Sequence, residues 1–182
     1  MRFSRARIIE GLVLVVIVIF AFVFWPKSAD QVDTTIYKVV PFNIYDGDTF
    51  HAMVNGTDER VRVTGINAPE MDDPNYGAEA IQAKDFTASL IDGKTVWLEV
   101  DKGAERDQYG RLLAYVWLVD PTALSDKSKQ VAENTLNGRL ASEGYAKALT
   151  IKPNTTYADV FESLANQAKK DSQGLWPSGV FS

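Results

Sequence analysis

The sequence predicts an α+β fold, mainly β: a small five-stranded barrel carrying three helices, preceded by one N-terminal transmembrane helix. Three observations carry this expectation. Five short runs rich in β-branched and aromatic residues are divided by turn signals, three segments repeat apolar residues at helical spacing, and the stretch from Ile8 to Trp25 is apolar enough for a bilayer. A length of 182 residues holds one ordinary domain and that appendage, and is short for two domains.

Residues 1–7 are a short basic tip containing Arg2, Arg5 and Arg7. Residues 8–25, IIEGLVLVVIVIFAFVFW, are broken only by Glu10 and Gly11. At about 1.5 Å per residue such a helix just spans a hydrocarbon core. The arginines before it and Asp30 and Asp33 after it keep the N-terminus cytoplasmic by the positive-inside rule. The expectation is therefore a single-pass protein of the cell membrane whose folded domain faces outside the cytoplasm. A cleaved signal peptide is the rival reading and would leave a secreted protein. Against it, Lys27 stands where a small residue is wanted ahead of a cut at Ala29.

A polar linker, residues 26–33, leads to the predicted domain at 34–177, with a tail at 178–182. Thr34 to Val40 reads as the first strand. Thr49 to Val54 and Arg60 to Ile66 read as a hairpin about Asn55-Gly56, and Thr95 to Val100 and Leu112 to Val119 complete five. Gly77 to Ile91 is a helix placing Ala83, Phe86 and Leu90 on one stripe. Gln130 to Gly144 is a second, with Ala132, Leu136 and Leu140 aligned, and Tyr157 to Lys170 a third, facing the core with Tyr157, Val160, Phe161, Leu164 and Ala168. Five strands with one interposed and two trailing helices suggest a barrel of the OB type.

Composition narrows the chemistry. With no cysteine and a single histidine, His51, thiolate metal sites, cysteine nucleophiles and two-histidine metal sites are excluded. The formal charge is −5, but from Ser28 onward the chain carries 15 basic and 23 acidic residues, a net of −8. That is the wrong sign for holding nucleic acid on a diffuse basic surface, so a polyanionic partner needs a local site or a bound cation.

Three polar clusters offer such a site. Asp46-Gly47-Asp48-Thr49 delivers two carboxylates to the start of a strand. Arg62 precedes Asn67-Ala68-Pro69-Glu70, and Asp107-Gln108-Tyr109-Gly110-Arg111 sets an arginine before another strand. Each alone is an ordinary turn, edge charge or loop. Together, and with Ala114-Tyr115, Ala146-Lys147, Lys152-Pro153-Asn154, Gln167-Ala168-Lys169-Lys170 and Leu175-Trp176, their order and spacing resemble the staphylococcal nuclease (thermonuclease) family over Thr34 to Trp176.

The resemblance implies an OB barrel and a Ca²⁺-dependent phosphodiesterase acting on DNA and RNA, endonucleolytic and leaving 3′-phosphates. It implies no protein partner and a monomer. It makes Asp48, Asn67 and the Ala68 backbone carbonyl calcium ligands, with Asp46 supporting them from behind. Glu70 holds the attacking water, Arg62 and Arg111 grip the phosphate, Tyr109 lies beside the nucleotide, and Lys147 and Lys152 contact substrate. The chemistry suits these residues. Calcium takes oxygen ligands, guanidinium forks fit two phosphate oxygens at once, and a nearby carboxylate can accept a water proton.

Two departures from the family pattern stand out. The second calcium ligand, usually aspartate, is Asn67, which predicts weaker binding or a different divalent cation unless Asp46 or Asp72 lends charge. Where the family carries stacking tyrosines, this chain reads Leu149-Thr150-Ile151, with Tyr145 and Tyr157 the possible substitutes. His51 reads as solvent-facing or packing, and the loop Asp120 to Lys129 carries no chemistry. The alternative class is a non-catalytic OB module binding nucleic acid or protein, against which the retained Asp48, Arg62, Glu70 and Arg111 count.

Overall fold

The computed structural model describes residues 33–182. The expected tip at 1–7, anchor at 8–25 and nearly all of the linker lie outside the described residues. Among the described residues, no helix is long and apolar enough to cross a membrane.

The described chain is an α+β fold with a mixed sheet and four α-helices. In order these are β1 Thr34–Val39, β2 Pro41–Phe42, β3 Thr49–Val54, β4 Thr57–Val63, β5 Ile66–Asn67, α1 Gly77–Ile91, β6 Val96–Asp101, β7 Leu112–Trp117, α2 Lys127–Asn134, α3 Leu136–Ser142, β8 Lys147–Ala148 and α4 Ala158–Lys170. One sheet runs β1-β6-β7-β4-β3-β2, and β5 pairs β8 apart from it. Every pair is antiparallel except β4 with β7. Only Val40 separates β1 from β2, so the two outermost strands of the order are one stretch of chain.

The five predicted strands are present, and β2, β5 and β8 are added to them. The hairpin strand begins at Thr57 rather than Arg60 because Asn55 and Gly56 both take positive φ, 50° and 82°. That is the two-residue turn whose twist matches the strands, and it pairs Val54 directly with Thr57. Ile66 leaves this strand because the chain turns at Gly65 (φ 82°), and Ile66–Asn67 pairs with Lys147–Ala148 instead.

Three helices become four. The predicted Gln130 to Gly144 helix is broken at Thr135, whose backbone is extended at φ −120° and ψ 150°. Its hydroxyl accepts from Gly138 N at 2.9 Å and donates to Val131 O at 2.6 Å, capping α3 while closing α2. A threonine gains more from capping than from a helix interior, where its branched side chain is crowded. The loop at 120–129 is also partly ordered, by a 3₁₀ turn at Pro121–Ala123 and the first turn of α2. In α1 the buried stripe is Ala80, Ala83, Thr87 and Ile91, so Phe86 and Leu90 sit at its margin.

Val96, Leu98 and Val100 of β6 lie on the face of the sheet shared with Val116, while Glu99 lies opposite Tyr115 on the other. That second face is covered by the helices. Glu99 is 1% exposed and accepts from Trp117 Nε1 at 2.7 Å, from Tyr157 OH at 3.0 Å and from Lys127 Nζ. A buried carboxylate of this kind is tolerated because these donors, with Thr34 Oγ1 at 3.4 Å, compensate its lost hydration. Tyr157 meets Tyr115 edge-on at 4.8 Å and belongs to the core.

Candidate active site

The Asp46-Gly47-Asp48 turn is held from within and from behind. Tyr45 N donates to Thr49 O at 2.9 Å, and Asp46 Oδ1 accepts from Asp48 N at 2.9 Å. Gly47 is packed between loop and helix: a Cβ there would stand 2.6 Å from that of Ala68 and 2.8 Å from that of Ala83. Helix α1 adds a polar tie, Thr87 Oγ1 donating to Gly47 O at 2.6 Å. The turn therefore has one tolerated residue at its centre and one fixed orientation, with Asp46 and Asp48 both buried.

Asp48 meets the second cluster. Its Oδ2 accepts from Ala68 N at 2.7 Å and lies 3.1 Å from Arg62 Nη2. The same Nη2 donates to Asn67 Oδ1 at 2.9 Å, while Nη1 donates to Ile66 O at 3.0 Å and to Val63 O. Burial pushes the Asp48 carboxyl up to about 7, against the pull of Arg62, and Asp46 adds to the rise. Arg62 is thus no edge charge: it is 8% exposed and ties the Asp turn to the loop after β4. Glu59 instead takes Arg106, at 2.7 Å from both terminal nitrogens.

The oxygen donors suit a hard cation. Asp48 Oδ2 and Asn67 Oδ1 both face one positively charged nitrogen, and Asn67 Nδ2 lies 3.4 Å from Ala68 O. One carboxylate and one amide oxygen thus converge on a point that holds a positive charge, the Arg62 guanidinium, while the Ala68 carbonyl meets the nitrogen end of the same amide. Among the described residues, no three histidine, aspartate or glutamate side chains are grouped to hold a metal unaided. The amide and the carbonyl would therefore have to share that work.

The third cluster is ordered by Asp107. Its Oδ1 accepts from the backbone of Tyr109 at 2.9 Å and of Arg111 at 3.0 Å, and its Oδ2 accepts from Arg111 Nε at 2.7 Å. Burial works to raise the Asp107 carboxyl, but these donors hold it below the ordinary range. The Arg111 guanidinium also lies over the Tyr109 ring, 5.5 Å from its centroid. Because β4 and β7 are parallel, with Arg62 opposite Leu113, Arg111 stands two residues short of Arg62 in register, and both side chains line the same cleft.

The second and third clusters share one cleft of about 630 Å³, whose lining includes Arg62, Asn67, Glu70, Tyr109, Arg111 and Lys152. Partial burial and the charge of Asp46 hold the Glu70 carboxyl above its ordinary value, against the opposing pull of Arg62 and Arg111. Asp46, Asp48 and Ala68 lie behind this lining, buried. Lys147 is on β8 opposite Asn67 and does not line the cleft. Nor do Tyr145, which stacks on Phe86 at 4.3 Å, and Tyr157, so neither replaces the absent stacking tyrosines. Leu149 and Ile151 line that rim instead. Thr87 and Asp107 join the site through contacts to Gly47 and Arg111. Asp107 carries a legible signal, its i, i+4 spacing to Arg111, whereas Thr87 is recognisable only once α1 is packed.

An α+β domain whose cleft sets two guanidinium groups beside a carboxylate is built to hold an anion. Comparison with known proteins says which domain it is. The staphylococcal nuclease homologue family matches residues 60–178. A thermonuclease of Staphylococcus hyicus is 33% identical, covering 93% of this chain and 98% of the relative. A thermonuclease of Staphylococcus intermedius is 32% identical over the same shares. Endonuclease YncB of Bacillus subtilis (strain 168) is 35% identical, covering 83% of this chain and 66% of the relative. The chain belongs to the staphylococcal nuclease family.

Proposed function

We propose that this protein is a calcium-dependent endonuclease that hydrolyses phosphodiester bonds of DNA and RNA and leaves 3′-phosphates. The observation that carries the reading is the convergence of Arg62, Glu70 and Arg111 on one cleft. Relatives named as thermonucleases and an endonuclease support it. The strand order, with β1 and β2 joined across Val40, supports taking the sheet as the OB-type barrel.

In this mechanism Arg62 and Arg111 bind the non-bridging oxygens of the scissile phosphate. Their positive charge stabilises the negative charge that grows as water attacks phosphorus. Asp107 keeps Arg111 pointed into the cleft, and Tyr109, 74% exposed, offers a flat surface to the nucleotide. Glu70 accepts the proton of the attacking water, and the two arginines keep its carboxyl available as a base. Asp48, Asn67 and the Ala68 carbonyl would hold a divalent cation, which when bound supplies further positive charge to the phosphate. Lys152 adds a cation at the cleft's outer rim.

The apolar run at residues 8–25 and the arginines ahead of it support a membrane anchor with the nuclease domain outside the cytoplasm. The mass of the protein extracted from membranes tests this: loss of residues 1–29 would make it a secreted protein. The activity is tested by incubating the full chain, with detergent present, with single-stranded DNA in Ca²⁺, in Mg²⁺ and in chelator. Cleavage only with a divalent cation, leaving 3′-phosphate ends, is expected. Binding without cleavage in every condition would return the chain to the non-catalytic class.

A further inference from the structure

The row of side chains that includes Arg62 continues past the cleft. Residues two apart on a strand share a face, so Arg60 follows Arg62 on the same side of β4 at about 7 Å. Arg62 is drawn inward, whereas Arg60 is exposed. Across the sheet Arg60 stands opposite His51, and His51 opposite Phe42, which sets these three in a line over β4, β3 and β2. The Arg60 guanidinium lies over the ring of Tyr45, 5.1 Å from its centroid, and the Phe42 ring is 5.9 Å from that of His51. Tyr45 and Phe42 are 47% and 38% exposed. Tyr45 also directly precedes Asp46, so this face adjoins the turn that carries Asp48.

Scattered exposed apolar side chains need no explanation, but one aromatic ring stacked on an exposed guanidinium and a second in its cross-strand row form a specific surface. Among the described residues Arg60 makes no ion pair, which leaves its charge free for an anion in a domain of net negative charge. Along β4 the track is flanked by Asp58, two residues from Arg60 and 2.8 Å from His51 Nδ1, whose charge repels a polyanion. Charge and continuity with Arg62 therefore define a short track.

We propose that Tyr45, Arg60 and Phe42 form a second substrate contact, holding about two nucleotides of single-stranded nucleic acid beyond the cleft. Arg60 takes a phosphate, and the Arg60–Tyr45 stack and the Phe42 ring take bases. Every base has a π-face, so the contact is indifferent to sequence. It also supplies the stacking that Leu149 and Ile151 do not. The proposal rests on the nuclease reading and adds to it where the substrate strand runs.

The test compares kcat/KM of the full chain, with detergent present, on single strands of roughly twelve and roughly three nucleotides. Tyr45→Ala and Arg60→Gln should each reduce the preference for the longer strand about tenfold, and Tyr45→Phe and Arg60→Lys should restore most of it. Arg60→Gln should also lower the slope of log affinity against log salt by about 0.7, and Tyr45→Ala should not. An undiminished preference in both variants overturns the proposal, as does an equal loss on both strand lengths, which would act through the cleft. A dimer of the parent that these variants dissociate would assign the face to a second copy and overturn it too. A parent that neither binds nor cuts either strand fails the nuclease reading itself. A parent that cuts while its variants keep their preference fails this inference alone.

Discussion

Arg62 Nη2 lies 2.9 Å from Asn67 Oδ1, and the same nitrogen is 3.1 Å from Asp48 Oδ2. Two oxygens assigned to a cation are thus bridged by a guanidinium, and only one of them carries formal charge. Asn67→Asp adds a negative charge at this point. Calcium affinity of the full chain, read by calorimetric titration, should rise about tenfold. An unchanged affinity would remove Asn67 from the cation site.

Thr87 connects a helix to the Asp turn through one hydrogen bond to Gly47 O. Thr87→Val keeps the shape and deletes the donor, leaving a buried carbonyl unpaired. The expected loss is about 1–3 kcal/mol in denaturant unfolding, with weakened cation binding alongside. A variant as stable as the parent would show that Ala83 and Ala68 alone hold the turn.

Asp107 fixes the Arg111 side chain through Oδ2, which accepts from Nε at 2.7 Å. Asp107→Asn retains an acceptor for the backbone but loses the ion pair to Nε. It should lower kcat/KM about tenfold, mainly through kcat, and cost under about 1 kcal/mol of stability. Lost stability with parental kcat/KM would make Asp107 structural only.

Local pattern made much of this fold legible. Asn55-Gly56 marked its hairpin, and Gly77–Ile91 matched at both ends because glycine and a turn bound an uninterrupted helical period. What escaped depended on contacts remote in sequence. Thr135 breaks a helix that is periodic on paper because its backbone bridges Trp117 and its hydroxyl caps the next turn. The stripe of α1 is rotated because Thr87 is buried against Gly47 rather than exposed. At the cleft, Arg62, Glu70 and Arg111 were legible from their spacing. The dispersal of Tyr145 and Lys147 away from it was not, since both are committed to partners that only the packed chain reveals.

Glu59 gives a pH dependence of fixed sign. Hydrogen bonds from Arg106 hold its carboxyl below the ordinary value of 4.5. The folded state therefore favours the charged form more than the unfolded chain does. The stabilisation is complete above 4.5 and is lost as pH falls through the lower folded value. Glu59→Gln should cost under about 1 kcal/mol at neutral pH, because Arg106 is half-exposed, and nothing in strong acid. Urea unfolding of both proteins across that range measures the gap, and a gap that widens in acid contradicts the pairing.

If Glu70 and Arg111 act together on a phosphodiester, both must be needed for cleavage, and kcat/KM on single-stranded DNA in Ca²⁺ for the full chain and for Glu70→Gln and Arg111→Ala decides it. Each substitution should lower the rate by about 100-fold or more while the protein stays folded. Parental rates in either variant would show that the cleft does not carry the reaction.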